Sequence, residues 1–243
     1  MMEYRERLKT VVIGAGRIAW QFHLPQIHKH SGFELAAVVE PLEERRRETE
    51  SCFGCRTYAD SRSMYAAERP LDLVVVASPT RFHAAQALEA FTQGADVFCD
   101  KPIAPDLATC DRMISAMRAA KRRMMVYQPH RARAEVQALK SVLARGLIGE
   151  PYMIKYAWTR FERRNDWQAF RKNGGGMLNN YGAHVVDNLL HLAGARAART
   201  DCRLRTIASL GDADDVVKIV IETENGLLLD VDINMAAALP LSC

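Results

Sequence analysis

The chain has 243 residues, 49% apolar and 26% charged, with a formal net charge of +4; this excludes a disordered or fibrous chain and allows one large core or two modest ones. Charge is spread evenly, with 18 Lys and Arg against 16 Asp and Glu up to residue 126 and 15 against 13 beyond, so neither half is a basic arm for nucleic acid. No apolar run reaches the length of a membrane span, and the opening MMEYRERLK lacks the apolar core of a signal peptide, which makes the cytoplasm the expected location, with no membrane partner.

Leu8 to Ala19, LKTVVIGAGRIA, reads as a short apolar strand running into Gly14-Ala15-Gly16-Arg17-Ile18-Ala19, a G-x-G-x-x-A turn that opens a helix. Gly14 allows the tight turn, Gly16 has no side chain to keep a diphosphate off the backbone, and Ala19 lets the helix pack closely on the strand. Unpaired N–H groups at the helix start attract phosphates. The helix runs to His30, and a strand from Phe33 ends at Glu40, at the distance where a carboxylate meets the ribose hydroxyls of a dinucleotide. A carboxylate there repels a 2′-phosphate, so NAD is preferred over NADP.

Leu42 to Ser51 is a charged helix, in which Arg45, Arg46 and Arg47 read as a solvated face shared with Glu43, Glu44 and Glu48. Cys52-Phe53-Gly54-Cys55 is a lone C-x-x-C with no second pair to complete a zinc site, so the six cysteines read as reduced thiols. A very short strand spans Arg56 to Tyr58. Leu71 to Ala77 is a near-continuous apolar run, as in a parallel strand covered on both faces. Ser78-Pro79 breaks it, and Thr80 is placed to cap a helix continuing to Gly94. Asp96 to Cys99 is the next strand, ending at Asp100-Lys101-Pro102; a helix from Leu107 to Lys121 and a strand from Met124 to Tyr127 follow. This alternation predicts an α/β domain with a doubly wound parallel sheet over residues 1–126.

Over residues 127–243 the pattern changes. Ala134 to Arg145 is an amphipathic helix stopped by Gly146, and the strands are Tyr152 to Phe161, Asp201 to Ser209, Val216 to Glu224 and Leu227 to Asn234. The last two flank Asn225-Gly226, a two-residue hairpin turn. Leu227, Leu229, Val231 and Ile233 alternate with Leu228, Asp230, Asp232 and Asn234, which buries one face. The second domain is therefore α+β with an open, mainly antiparallel sheet.

With these residues in view, the chain resembles the glucose–fructose oxidoreductase and inositol dehydrogenase family (Gfo/Idh/MocA). The resemblance rests on the glycine turn, Ala77-Ser78-Pro79-Thr80 followed by His83, Asp100-Lys101-Pro102, and Gly174-Gly175-Gly176 leading to Gly182-Ala183-His184. It implies an N-terminal Rossmann domain binding NAD or NADP, a substrate and assembly domain, hydride transfer on a sugar, cyclitol or related small molecule, and homodimers or homotetramers formed through the second sheet. It also implies cofactor contacts from Arg17, Ile18, Ser78, Thr80, His83, Asp100 and Gln128. Two residues depart from the pattern: Asp100 stands where the family usually has Glu, and Asn180 where it commonly has Asp. Asn accepts and donates hydrogen bonds but cannot take a proton, which leaves His184 as the base of that motif. Family members usually continue with further strands and a helix returning to the first domain, whereas the closing MAAALPLSC reads as no such strand; a short or truncated relative with an unpaired sheet edge is expected.

Oxidising an alcohol requires a proton acceptor and a cation near the developing oxyanion. Lys101, at the C-terminal end of a parallel strand where such sheets bind ligands, is the candidate cation, and by resemblance it hydrogen-bonds the reacting hydroxyl. His184, with an unperturbed pKa near 6.5, is the candidate base. Tyr156, Asp166 and Trp167 are candidate substrate contacts, with Lys101, Asn180 and His184. His184, Asp187 and His191 share one helical face, but three ligands along one straight helix converge poorly, so no metal is expected. The alternative reading is a non-catalytic NAD(P)(H)-binding sensor of the same fold, prompted by Asn180 and the short second domain.

Overall fold

The computed structural model describes residues 7–242; residues 1–6, which hold most of the stretch read for a signal peptide, and Cys243 lie outside them. The chain divides into two units, Met1–Tyr127 and Gln128–Cys243.

In the first unit, β1 (Leu8–Ile13), β2 (Phe33–Val39), β3 (Arg56–Tyr58), β4 (Leu73–Val76), β5 (Asp96–Cys99) and β6 (Met124–Val126) form a parallel sheet ordered β3-β2-β1-β4-β5-β6. The helices α1 (Leu24–Lys29), α2 (Glu43–Phe53), α3 (Ser61–Glu68), α4 (His83–Thr92) and α5 (Leu107–Ala119) connect the strands. Val11, Ile13, Val74 and Val76 pack with Met64, Phe91 and Met113 on one face. Val12, Val38 and Val75 pack with Ala19 and Leu24 on the other. Each such valine contributes about 1.5–3 kcal/mol by leaving water, which is why the strands are apolar on both faces. The strand order reverses between β1 and β4, the switch point whose crevice binds ligands in sheets of this order.

Three local features differ from expectation. Helix α3 lies between Tyr58 and Leu71, where no element was read; Asp60 Oδ1 accepts the Ser63 N–H at 2.8 Å as its cap, and Met64, Tyr65 and Glu68 are buried. The helix after the glycine turn widens into a π-turn over Ala19–His23, ahead of Pro25, which has no N–H to continue a regular ladder. Thr80 does not cap α4: it opens a 3₁₀ turn, Thr80–Phe82, and Phe82 takes the cap position of the helix with no side-chain hydrogen bond.

In the second unit, α6 (Ala134–Ala144) precedes β7 (Met153–Phe161), α7 (Ala183–Ala193), β8 (Ala197–Arg205), β9 (Val216–Thr223), β10 (Leu228–Asn234) and β11 (Ala236–Ser242), and the sheet order is β11-β7-β10-β9-β8. Only β10 and β7 pair in parallel. Val217, Ile219, Leu229, Val231 and Ile233 face Val185 and Leu189 of α7. Two strands are corrected. Strand β8 begins at Ala197 rather than Asp201 and ends at Arg205 rather than Ser209, because the Asp215 carboxylate draws the N–H groups of Ile207, Ala208 and Ser209 off the ladder at 2.6–2.8 Å. The C-terminal residues, read as no strand, form β11 on the edge of β7, a position that tolerates Pro240.

Glu68 ties α3 to β1 and β3. Its side chain is 1% exposed; Oε2 accepts from Arg56 Nη2 at 2.6 Å, Oε1 from the Tyr58 hydroxyl at 2.7 Å, and Lys9 Nζ lies 3.3 Å away. Burial pushes its pKa up, but the hydrogen bonds from Arg56, Tyr58 and Lys9 outweigh it and hold the carboxyl below its usual range. The resulting stability is present above the unfolded pKa of about 4.3 and is lost as pH falls through the folded value. Glu68→Gln is expected to cost about 2 kcal/mol at pH 7 and much less at pH 3; equal losses in urea unfolding at both pH values would contradict the ion-pair account.

In the second unit, the glycine loop is clamped against Asp214. Gly176 has φ +104°, and a Cβ there would lie 2.2 Å from Asp214 Oδ1. Asp214 Oδ2 accepts the Leu178 N–H at 2.8 Å, and the Asp214 carbonyl accepts the Met177 N–H at 2.9 Å. Gly176→Ala should destabilise this unit by about 3 kcal/mol, seen as a lower Tm; an unchanged Tm would show that the loop yields freely.

Candidate active site

At the glycine turn the Gly14 N–H donates to the Val39 carbonyl at 2.8 Å, with φ +98°. A Cβ on Gly14 would lie 2.9 Å from the Ser78 nitrogen, whereas one on Gly16 would meet no atom within 4 Å. The turn is thus pressed against the end of β4 on one side and open beside Gly16. Helical backbone begins at Arg17, leaving the first amides without intrahelical acceptors; this open cradle fits a diphosphate. Glu40 follows β2, and its carboxylate is held in place by two backbone N–H donors, Ala15 at 3.0 Å and Leu42 at 3.1 Å.

The arginine cluster meets the sequence reading in part: Arg45 and Arg47 are exposed, and Arg46 is half-buried. Only Arg47 pairs along the exposed helix face, with Glu43. Arg45 Nη1 donates to the Ala15 carbonyl at 3.3 Å, and Arg46 Nη1 to the carbonyls of Glu40 and Pro41 at 2.9 and 2.7 Å. Both turn back because the loop ends left carbonyls within reach of a guanidinium.

The loops after β4 and β5 are joined by His83. Its ring is 1% exposed, with Nε2 2.7 Å from the Ser78 carbonyl and Nδ1 2.9 Å from that of Pro102. Burial lowers its pKa against the opposing pull of these carbonyls and Asp100. Ser78 Oγ donates to Gln86 Oε1 at 2.6 Å, and Thr80 is buried. Asp100, 6% exposed, accepts the Lys101 N–H on Oδ1 at 2.8 Å, and its Oδ2 lies 3.9 Å from His23 Nε2. Lys101 itself is partly exposed just beyond the C-terminal end of β5.

In the second unit, the turn before α6 meets the start of α7. His184 is 8% exposed; its Nδ1 lies 3.0 Å from Gln128 Oε1, and the His130 ring stacks on it at 3.9 Å and 21°. Gln128 Nε2 donates to the Ala183 carbonyl at 3.4 Å. Asp187 is paired with Arg131 at 2.7 Å, and His191 with Lys140 at 3.2 Å. Asn180 Nδ2 donates to Gln168 Oε1 at 3.4 Å, which brings it beside the loop that holds Asp166 and Trp167. Asp166 caps the short turn Trp167–Ala169 through the Gln168 N–H at 2.9 Å and pairs with Arg164 at 3.0 Å. Trp167 is 41% exposed, and Tyr156 packs on the sheet core.

His130, Arg131 and Gln168 were not singled out from the sequence; each meets its partner only through the fold, although Pro129-His130-Arg131 beside Gln128 was a visible polar cluster. Of the Cys52/Cys55 pair, Cys55 is buried, and burial pushes its thiol up to about 11.

Residues 8–128 match the family model described as an oxidoreductase family with an NAD-binding Rossmann fold, and residues 136–242 match the GFO/IDH/MocA C-terminal domain. Inositol 2-dehydrogenase 4 of Saccharopolyspora erythraea is 30% identical, over 96% of this chain and 68% of that protein. D-apiose dehydrogenase of Paraburkholderia graminis is 28% identical, over 96% and 62%. The WlbA dehydrogenase of Bordetella pertussis, solved with NADH and UDP-GlcNAcA, superposes with a TM-score of 0.89 at 24% identity, over 96% of this chain and 74% of that one. The chain spans 53% to 68% of the length of the curated relatives it matches. With both halves matched in order, the chain belongs to the Gfo/Idh/MocA oxidoreductase family.

Proposed function

We propose that this chain carries NAD-dependent oxidoreductase activity, moving a hydride between nicotinamide and the hydroxyl-bearing carbon of a sugar, cyclitol or related small molecule. The observation that carries the reading is the glycine turn, pressed against Ser78 on one side, open at Gly16 on the other, and backed by a fixed Glu40 carboxylate. Relatives named for D-apiose and inositol support a polyhydroxylated substrate.

In this reading residues 1–126 hold the dinucleotide. Gly14, Gly16, Arg17 and Ile18 receive the diphosphate, Glu40 the ribose hydroxyls, and Ser78, Thr80, His83 and Asp100 shape the loops beneath the nicotinamide. The nicotinamide supplies the hydride acceptor. Residues 127–243 bind the substrate through Tyr156, Asp166, Trp167 and Asn180. Lys101 polarises the reacting oxygen, and His184 takes the hydroxyl proton as hydride leaves the same carbon, so charge balances across the step. Asn180 orients a hydroxyl without titrating. Assembly through the second sheet is supported by β8, whose residues are exposed along its whole length. No helix among the described residues is long and apolar enough to cross a membrane.

Titration of the chain should give about tenfold tighter binding of NADH than of NADPH, about 1.4 kcal/mol, and Glu40→Ala should narrow that gap to about threefold. The position of Arg45 beside the same turn keeps the discrimination modest. Binding of neither nucleotide would overturn the reading. Lys101→Met is expected to lower kcat on a turned-over polyol or sugar by about 10²–10³ with NADH affinity unchanged; unaltered turnover would remove Lys101 from the chemistry. NADH binding with no turnover across a panel of sugars and cyclitols would instead favour the sensor reading.

A further inference from the structure

We infer that Gln128 and His130 are positioning residues that hold His184 as a neutral imidazole with its proton on Nδ1 and its lone pair on Nε2. The inference rests on the proposed role of His184 as the proton-exchanging group and says how that group is kept competent.

Gln128 selects the tautomer. Its amide nitrogen faces the Ala183 carbonyl at 3.4 Å, so its oxygen faces His184 Nδ1 at 3.0 Å. Flipping the amide would set its oxygen against the Ala183 carbonyl oxygen, which is repulsive. An amide oxygen has no proton to give, so Nδ1 must carry the N–H and donate. The lone pair is then on Nε2. This is the arrangement an orienting partner imposes on a catalytic or ligating imidazole.

His130 limits the charge. Its ring lies parallel to that of His184, with centroids 3.9 Å apart, and two imidazolium rings at that separation repel strongly in a buried site. The rings therefore titrate as a coupled pair in which the second proton is suppressed. Two cations of this unit, Arg131 and Lys140, are already engaged by other side chains. Arg131, beside His130, is neutralised by Asp187, one turn along α7, and Lys140 pairs with His191 two turns away. At the motif position four residues before His184 stands Asn180, which adds no negative charge. At Nδ1 the ring is thus oriented by a neutral amide. Gln128, taken by resemblance for a nicotinamide contact, bonds the His184 ring and the Ala183 carbonyl within the second unit.

Two measurements test this on the full chain. Long-range proton–nitrogen NMR should show His184 in the wild-type protein at neutral pH with a pyrrole-type Nδ1 and a pyridine-type Nε2, whether or not a substrate is known. Gln128→Glu should raise the His184 pKa by one unit or more in the same spectra and move the acid limb of kcat/KM up equally. His130→Phe, which keeps the stacking without the charge, should shift both upward by a smaller amount. NADH affinity should stay within twofold in both variants. A predominant Nε2–H tautomer, or an unmoved pKa in Gln128→Glu, would overturn the inference even with normal turnover, as would a tenfold loss of NADH affinity in Gln128→Glu. Absence of turnover with the expected tautomer would leave it standing and count against the function instead.

Discussion

The structure depends most on the close approach at Gly14, where the C-terminal ends of β1, β2 and β4 converge. The Gly14 N–H donates to Val39, and its Cα faces the Ala77–Ser78 peptide at a distance that admits no side chain. That contact aims the helix start past Gly16, brings Ala15 within reach of the Glu40 carboxylate, and sets Ser78 beside the turn. From Ser78 the constraint passes through the His83 ring to Pro102, and so to the loop that carries Lys101. The cradle and the candidate cation are therefore parts of one rigid edge of the sheet.

The second unit solves a similar problem with buried carboxylates. Asp214 and Asp215 are adjacent in sequence and both nearly inaccessible; the Asp215 carboxylate accepts three backbone N–H groups, and Asp214 accepts one on its carboxylate and one on its carbonyl. One fixes the glycine loop ahead of α7 and the other ends β8. A buried carboxylate can only accept, so backbone N–H donors turned toward it satisfy its oxygens and fix its position. The helix that carries His184 starts from that clamp, so the ring is anchored at its base as well as by Gln128 and His130.

Imidazoles perform distinct physical tasks in the two units. His83 is a tie between loops and has no accessible surface with which to do chemistry. His184 is held by one amide and one stacked ring, near a surface loop bearing Asp166 and Trp167. His191, on the same helical face as His184, is engaged with Lys140. Residue type alone would have made these three equivalent; burial and partners separate them.

The doubly wound sheet was legible in the sequence because strands covered on both faces must be apolar throughout. The glycine turn was legible for the same local reason: a positive φ and a close backbone approach admit little else at Gly14. The Asn225-Gly226 hairpin and the alternation in β10 were likewise local. What the pattern missed was decided at long range. Strand β11 exists because β7 offers an unpaired edge, not because Ala236 to Ser242 favours a strand; β8 stops where the Asp215 carboxylate takes the amides that follow it; Arg45 folds back because the carbonyl of Ala15, in the glycine turn, lies within reach. The pairing of Gln128 and His130 with His184 spans more than fifty residues and leaves no periodic trace. Elements and the glycine cradle follow from short-range sterics and burial, which a sequence displays, whereas the state of each imidazole depends on partners that only tertiary packing brings within hydrogen-bonding distance.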